Sequence, residues 1–250
     1  MQENSALGRA LAMVSDLRRR CPWDRAQTRQ TLRPYLVEEV LELDDALGAD
    51  DIPAIRDELG DLLLHLAFQL VIGEERADFT PADVADALET KMRRRHPHLF
   101  DLGGAEPWER LKRRERTGTL TGIVPTLPPL LKAYRLQERA ASVGFDWPDV
   151  QGPLDKVREE VAEVESELTA GAGRRAALEG EIGDLLFAVV NLARKAGVDP
   201  TLALDGANRK FTERFEGVER LAARRGVDVE SAGLERLDEL WEEVKGTGNG

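Results

Sequence analysis

The feature that most constrains this chain is a helical unit written twice. Glu58-Leu59-Gly60-Asp61-Leu62-Leu63 recurs 123 residues later as Glu181-Ile182-Gly183-Asp184-Leu185-Leu186. At the same offset Leu66 and Leu70 match Val189 and Ala193. Upstream, Glu38-Glu39-Val40-x-Glu42 returns as Glu159-Glu160-Val161-x-Glu163, shifted by 121. Downstream, Thr80-Pro81 matches Asp199-Pro200, and Lys91 and Arg95 match Lys210 and Arg214, all shifted by 119. Trp108-x-x-x-Lys112 is similar to Trp241-x-x-x-Lys245. The small drift in offset reads as insertions and deletions in loops. A tandem duplication of this length requires two related units, each the size of a small domain. We place an N-terminal domain at 1–117, a linker at 118–129 and a C-terminal domain at 130–250. The linker holds Gly, Thr and Pro without helical periodicity.

Periodicity makes both units helical. Leu7, Ala10, Leu11, Val14 and Leu17 recur at helical spacing to about Arg20, where Cys21-Pro22-Trp23-Asp24 breaks the pattern. A second helix spans about Leu32–Leu47, with Leu36, Val40, Leu43 and Leu47 as its apolar stripe. Asp51 caps a third, with Pro53 in its first turn. Beyond Leu62 that helix is apolar nearly all round, which predicts burial at the centre of a bundle. Thr80-Pro81 starts a fourth, ending near His96-Pro97, and a short helix is expected over Trp108–Arg114. Helices resume at Leu130–Val143, Pro153–Leu168, Leu178–Ala196, Pro200–Arg224 and Glu230–Lys245. No alternating run argues for a sheet, so the fold class is all-α.

The acids carry the chemistry. Glu39 and Glu42 stand three apart and share a helix face, as do Glu58 and Asp61 on the next helix. A short loop makes the two helices antiparallel neighbours, so four carboxylates can meet. Glu39 and Glu58 fall along apolar stripes, where an isolated charge costs several kcal/mol. A divalent cation relieves both desolvation and repulsion. Oxygen-only ligands favour Mg²⁺ or Mn²⁺ over zinc. The second copy repeats the set as Glu160, Glu163, Glu181 and Asp184. Glu38 and Glu159 are read as solvated acids.

Other features narrow the class. Lys plus Arg total 35 against 47 Asp plus Glu, a net charge of −12, which argues against a protein that coats nucleic acid. A single cysteine, Cys21, excludes a disulfide framework and suits a reducing cytoplasm. The N-terminus lacks the pattern of a signal peptide, and Leu62–Ile72 is too short and too polar to span a membrane. The chain has no phosphate-binding Gly-x-x-x-x-Gly-Lys-Ser/Thr loop. His65 has Ala188 as its counterpart and is read as a core histidine, and the shortage of Glu-x-x-His pairs counts against a di-iron centre. Lys210 and Arg214 share a helix face and suit phosphate oxygens. Trp241 and Lys245 are likewise four apart, although a tryptophan there is more often core than a stacking platform.

Several of these motifs together resemble one family. Cys21-Pro22-Trp23-Asp24, Tyr35-Leu36-x-Glu38-Glu39, Glu58-Leu59-Gly60-Asp61-Leu62-Leu63 and Arg95-His96-Pro97-His98-x-Phe100 in the first half are similar to the MazG nucleoside triphosphate pyrophosphohydrolases. So are Gly144-Phe145-Asp146-Trp147, Glu181-x-Gly183-Asp184-Leu185-Leu186-Phe187, Ala207-Asn208-x-Lys210-Phe211-x-x-Arg214-Phe215 and Trp241-x-x-x-Lys245 in the second. The resemblance implies tandem helical bundles, a homodimer and Mg²⁺-dependent cleavage of nucleoside triphosphates to monophosphate and pyrophosphate. It implies metal ligation by Glu39, Glu42, Glu58 and Asp61, and by Glu160, Glu163, Glu181 and Asp184. In two-copy members the second copy is usually credited with activity. Catalysis is thus expected at the second acid set with Lys210 and Arg214, and substrate contacts at Lys210, Arg214, Trp241, Lys245 and Asn208. The first copy departs where Arg95-His96-Pro97 replaces Arg214-Phe215-Glu216. Broad base specificity and a pool-clearing role are the expectation. The alternatives are a narrow pyrimidine deoxynucleotide enzyme and a non-enzymatic helical interaction module.

Overall fold

A computed structural model of the chain describes residues 5–105, 111, 117–170 and 174–247. Its described residues form ten α-helices and one 3₁₀ turn, with no strand, and fall into two compact units, 1–105 and 106–250. The first unit thus ends at Ala105, ahead of the expected boundary at 117. Most of the expected short helix at Trp108–Arg114 lies outside the described residues.

The first unit contains α1 (Ala6–Arg20), α2 (Pro22–Ala26), α3 (Arg33–Ala49), α4 (Ile52–Glu75) and α5 (Pro81–Arg95), then the 3₁₀ turn Pro97–Leu99. The Cys21-Pro22 break proves to be the start of a one-turn helix, because proline at the first helical position loses no needed donor. Local caps fix the other starts. Asp51 accepts from the Ala54 N–H, and Thr80 and Asp83 form a reciprocal capping box. The core gathers Val14 of α1, Leu32, and Ala67, Phe68, Val71 and Ile72 of α4.

The apolar periodicity overstated burial. Leu59 and Leu66 of α4 are more than half exposed, as is Leu47 of α3. The helix that reads as apolar all round is covered chiefly by α1 and α3, so among the described residues its remaining side stays open.

The second unit contains α6 (Pro129–Ala141), α7 (Gln151–Thr169), α8 (Arg175–Lys195), α9 (Pro200–Arg224) and α10 (Gly233–Thr247). α7 and α8 make an antiparallel hairpin, α6 packs on α8, and α9 packs on α10. The last helix begins later than the expected Glu230. Asp228 takes up the Glu230 N–H and the Ser231 hydroxyl in a turn that competes with helix.

An ion pair between buried Arg18 and exposed Glu75 ties the first unit together. Arg18 is 8% exposed and donates from Nε and Nη2 to both Glu75 oxygens at 2.8 and 2.7 Å. Its Nη1 donates to the carbonyls of Asp24 and Gln27, which fixes the chain around α2. Replacing Arg18 with Ala leaves those carbonyls without their donor and hands the exposed Glu75 carboxylate back to water. We expect Arg18→Ala to destabilise the unit by about 1–2 kcal/mol, read as a lower midpoint in urea at unchanged slope.

Candidate active site

Each copy builds its candidate site on a helical hairpin. In the first, α3 presents Glu39 and α4 presents Glu58 and Asp61, with carboxylate oxygens within 4.8 Å of one another. In the second, α7 presents Glu160 and Glu163 and α8 presents Glu181, grouped equally closely. Spacing of three residues puts each pair on one face, and the antiparallel crossing brings the faces together. Of the expected acids, Glu42 and Asp184 lie outside these tight trios. Glu42 still acts on the first, through its charge and a side-chain hydrogen bond to Glu39. Asp184 lines a cavity that Glu160 also lines.

The electrostatics match acids crowded against one another. Partial burial raises the Glu39 carboxyl above its ordinary range, and the charges of Asp61, Glu42 and Glu58 raise it further. Glu58 is raised by desolvation and then by Glu42 and Asp61. Glu163 is raised by desolvation and by Glu160, although Lys156 opposes the effect. His65 stands with Nε2 3.8 Å from Glu39 Oε1, and desolvation lowers its pKa despite the charge of Asp61.

Glu160 is the most informative of these acids. It is 4% exposed. Its Oε1 accepts from Lys156 Nζ at 2.7 Å, while its buried Oε2 has no hydrogen-bond partner. A buried carboxylate oxygen without a donor is costly unless something else supplies positive charge. A divalent cation held by this trio meets that need, so the residues present fit one. Lys156, four before Glu160, was missed in the sequence, where only the acids were weighed. Lys156 also pairs with exposed Glu159.

The cavity in the second unit measures about 600 Å³, within the usual size of a small-molecule site. Its wall combines Glu160, Asp184 and Lys156 with Phe145, Trp147 and Phe187. Asn208, Lys210, Arg214, Trp241 and Lys245 are not among its lining residues. Asn208 and Lys210 lie exposed on α9, and Arg214 is half-buried. Trp241 packs on the core of Val218, Leu221, Ala222 and Leu240, with its ring 5.3 Å from that of Phe211. Lys245 is paired with Glu242 at 2.7 Å.

The two copies differ around their acids. At the 123-residue offset, cavity residues Phe187, Ala188, Asn191 and Arg194 correspond to Leu64, His65, Phe68 and Val71. His65, Phe68 and Val71 are all buried in the first unit. Larger side chains thus stand in the first unit where Ala188 and Asn191 border the cavity of the second.

Fold and site together define an all-α protein with paired carboxylate clusters suited to a divalent cation. The sequence matches the model of the MazG nucleotide pyrophosphohydrolase domain over residues 27–100 and 151–218. It is 42% identical over 237 residues to a nucleoside triphosphate pyrophosphohydrolase of Escherichia coli, covering 90% of both chains. It is 43% identical over 233 residues to the nucleoside triphosphate pyrophosphohydrolase/pyrophosphatase MazG of Thermotoga maritima, covering 90% of this chain and 89% of that one. A nucleoside triphosphate pyrophosphohydrolase of Mycobacterium tuberculosis is 36% identical over 156 residues, 58% of this chain and 47% of the relative. The chain belongs to the MazG family.

The raised carboxyls give the site a pH signature. A carboxyl whose folded pKa lies above its unfolded value stabilises the fold below the unfolded pKa and loses that contribution as pH rises through the folded one. The cation-free protein therefore regains stability at Glu39, Glu58 and Glu163 as pH falls, while a cation competes with the same protons. We expect Mg²⁺ to raise the melting temperature by several degrees at pH 8 and by much less at pH 5. Differential scanning fluorimetry with and without Mg²⁺ reads the difference, which should shrink in Glu163→Gln.

Proposed function

We propose that the chain hydrolyses nucleoside triphosphates to nucleoside monophosphate and pyrophosphate, with its C-terminal copy as the catalytic unit and Mg²⁺ as the cation, replaceable by Mn²⁺. The observation that carries this reading is the buried, half-partnered carboxylate of Glu160. It is grouped with Glu163 and Glu181 beside a cavity of nucleotide size. Membership of the MazG family and the names of the relatives support the reaction. When bound, a divalent cation supplies positive charge against the triphosphate and Lewis acidity toward its oxygens.

The chain's own groups divide the rest of the work. Glu160, Glu163, Glu181 and Asp184 hold the cation, and one glutamate of the set accepts a proton from the attacking water. Lys210 and Arg214, one turn apart on α9, steady the phosphates and the departing pyrophosphate. Neither forms an ion pair with a described residue, which leaves both cations available. Asn208, exposed on the same helix, joins them as a substrate contact. Trp241 and Lys245 are kept in this group by the family resemblance of their positions. Their support is narrower, because Trp241 serves the core and Lys245 pairs with Glu242.

The first copy, through Glu39, Glu42, Glu58 and Asp61, binds a cation without nucleotide turnover in this reading. His65, Phe68 and Val71 occupy the positions that line the cavity in the second copy. We further propose a homodimer. Leu59 and Leu66 of α4 and Ile182, Leu186 and Val189 of α8 lie exposed on the acid-bearing helices, as interface residues do. Broad base specificity, a role in clearing nucleotide pools and a cytoplasmic location complete the proposal. Among the described residues no helix is long and apolar enough to cross a membrane, and the one cysteine is unpaired. The strong negative charge makes nucleic acid a poor partner.

Pyrophosphate release from the common nucleoside triphosphates, with Mg²⁺ and with chelator, tests the function. Turnover should need the cation and fall at least about a hundredfold in Glu160→Ala plus Glu163→Ala. The matching pair Glu39→Ala plus Glu42→Ala should retain most of it. Turnover that survives both pairs combined would refute the site.

A further inference from the structure

We propose that the loop 144–148 is a nucleobase-stacking wall, with Phe145 and Trp147 as the stacking rings and Asp146 as the residue that positions them. The inference rests on the proposed nucleotide site and deepens it by assigning the part of the substrate beyond the phosphates.

The geometry of α8 sets the scale. Asp184, Phe187, Asn191 and Arg194 line the same cavity, and they follow one another at spacings of three, four and three residues. They therefore form one stripe along the helix. At a rise of 1.5 Å per residue, Asn191 lies about 10 Å along the axis from Asp184. A nucleotide with its phosphates at the acids would carry its base past Phe187 and toward Asn191. The loop after α6 borders that same cavity with Phe145 and Trp147.

The loop is held, while its rings are left uncovered. Gly144 ends α6 at φ +91°, and the Phe145 N–H donates to the Ala140 carbonyl. This is a helix-ending turn that glycine permits. Asp146 accepts from the Arg194 guanidinium, and from Lys195 Nζ at 3.1 Å. Lys195 also donates to the Trp147 carbonyl. The Trp147 indole sits so close to Gly152 that a Cβ there would collide with it. Against this anchoring, Phe145 is 82% exposed.

The polar groups of the wall are partly engaged, with Gln137 Oε1 buried and without a partner. Gln137 Nε2 donates to the Phe187 carbonyl at 2.8 Å. Asn191 Oδ1 accepts from Arg194 Nε at 3.0 Å. The broadest surface left for the base is aromatic, which every nucleobase can stack on. Loss of one stacking partner weakens binding by about tenfold without touching the reacting phosphorus.

Steady-state kinetics with ATP, GTP, CTP and UTP, alongside binding measurements, test the assignment. Phe145→Ala should raise KM about tenfold for all four with kcat within about twofold, and Phe145→Tyr should restore it. Asp146→Asn should also raise KM at unchanged kcat and unchanged melting temperature. Titration with an α,β-methylene nucleoside triphosphate should quench a fluorescence component that Trp147→Phe removes, whereas inorganic triphosphate should not. The quench is read without turnover, so it tests the wall even if hydrolysis itself fails. Unchanged KM in Phe145→Ala with no Trp147 quench would overturn the proposal. So would a change of sedimentation coefficient in Phe145→Ala, which would make the loop a protein contact.

Discussion

Like-charge crowding is the constraint on which this molecule is organised. Two helices cross antiparallel and turn acids toward each other, so that carboxylate oxygens lie within 4.8 Å in both copies. Burial and mutual repulsion then raise the carboxyls of Glu39, Glu58 and Glu163. A fold gains nothing from such an arrangement by itself, because each charge opposes its neighbours. In the proposed function its use lies in what it would attract: a small hard cation would offset the repulsion and present positive charge to a phosphate chain. The surrounding structure serves to hold the two helices in that uncomfortable register.

The duplication shows how one scaffold can diverge around a common centre. Both hairpins carry the carboxylate trio, yet their neighbours differ in size and polarity. His65 and Phe68 fill the first unit, where Ala188 and Asn191 border open space in the second. In the first copy Glu39 therefore faces the buried His65, at 3.8 Å. In the second, Glu160 and Asp184 sit at the wall of a cavity, where Lys156 is the one cation paired with Glu160 among the described residues. A few side chains on one helix thus give the same carboxylate trio different surroundings, with no change in backbone plan.

The backbone plan was largely legible in the sequence because its causes are local. Helix starts followed caps such as Asp51 and the Thr80–Asp83 box, and the acids stood on shared faces because three residues make nearly one turn. Local rules failed where neighbours decide. Leu59 and Leu66 looked buried by period, but no described helix covers that side of α4. Cys21-Pro22 looked like a break, but opens a short helix whose carbonyls Arg18 collects. Lys156 looked like one more surface charge until α7 turned it onto Glu160.

The sequence by itself determined that this is a twofold helical protein with acids at fixed intervals, since periodicity, caps and repeat are properties of short stretches of chain. Tertiary structure decided which oxygens converge and where space remains. Glu39 and Glu58, or Phe145 and Phe187, are far apart along the chain, and only the packing of whole helices fixes the distance between them. The unpartnered oxygen of Glu160 is likewise a fact of packing. Burial is set by everything around an atom, and no local pattern encodes it.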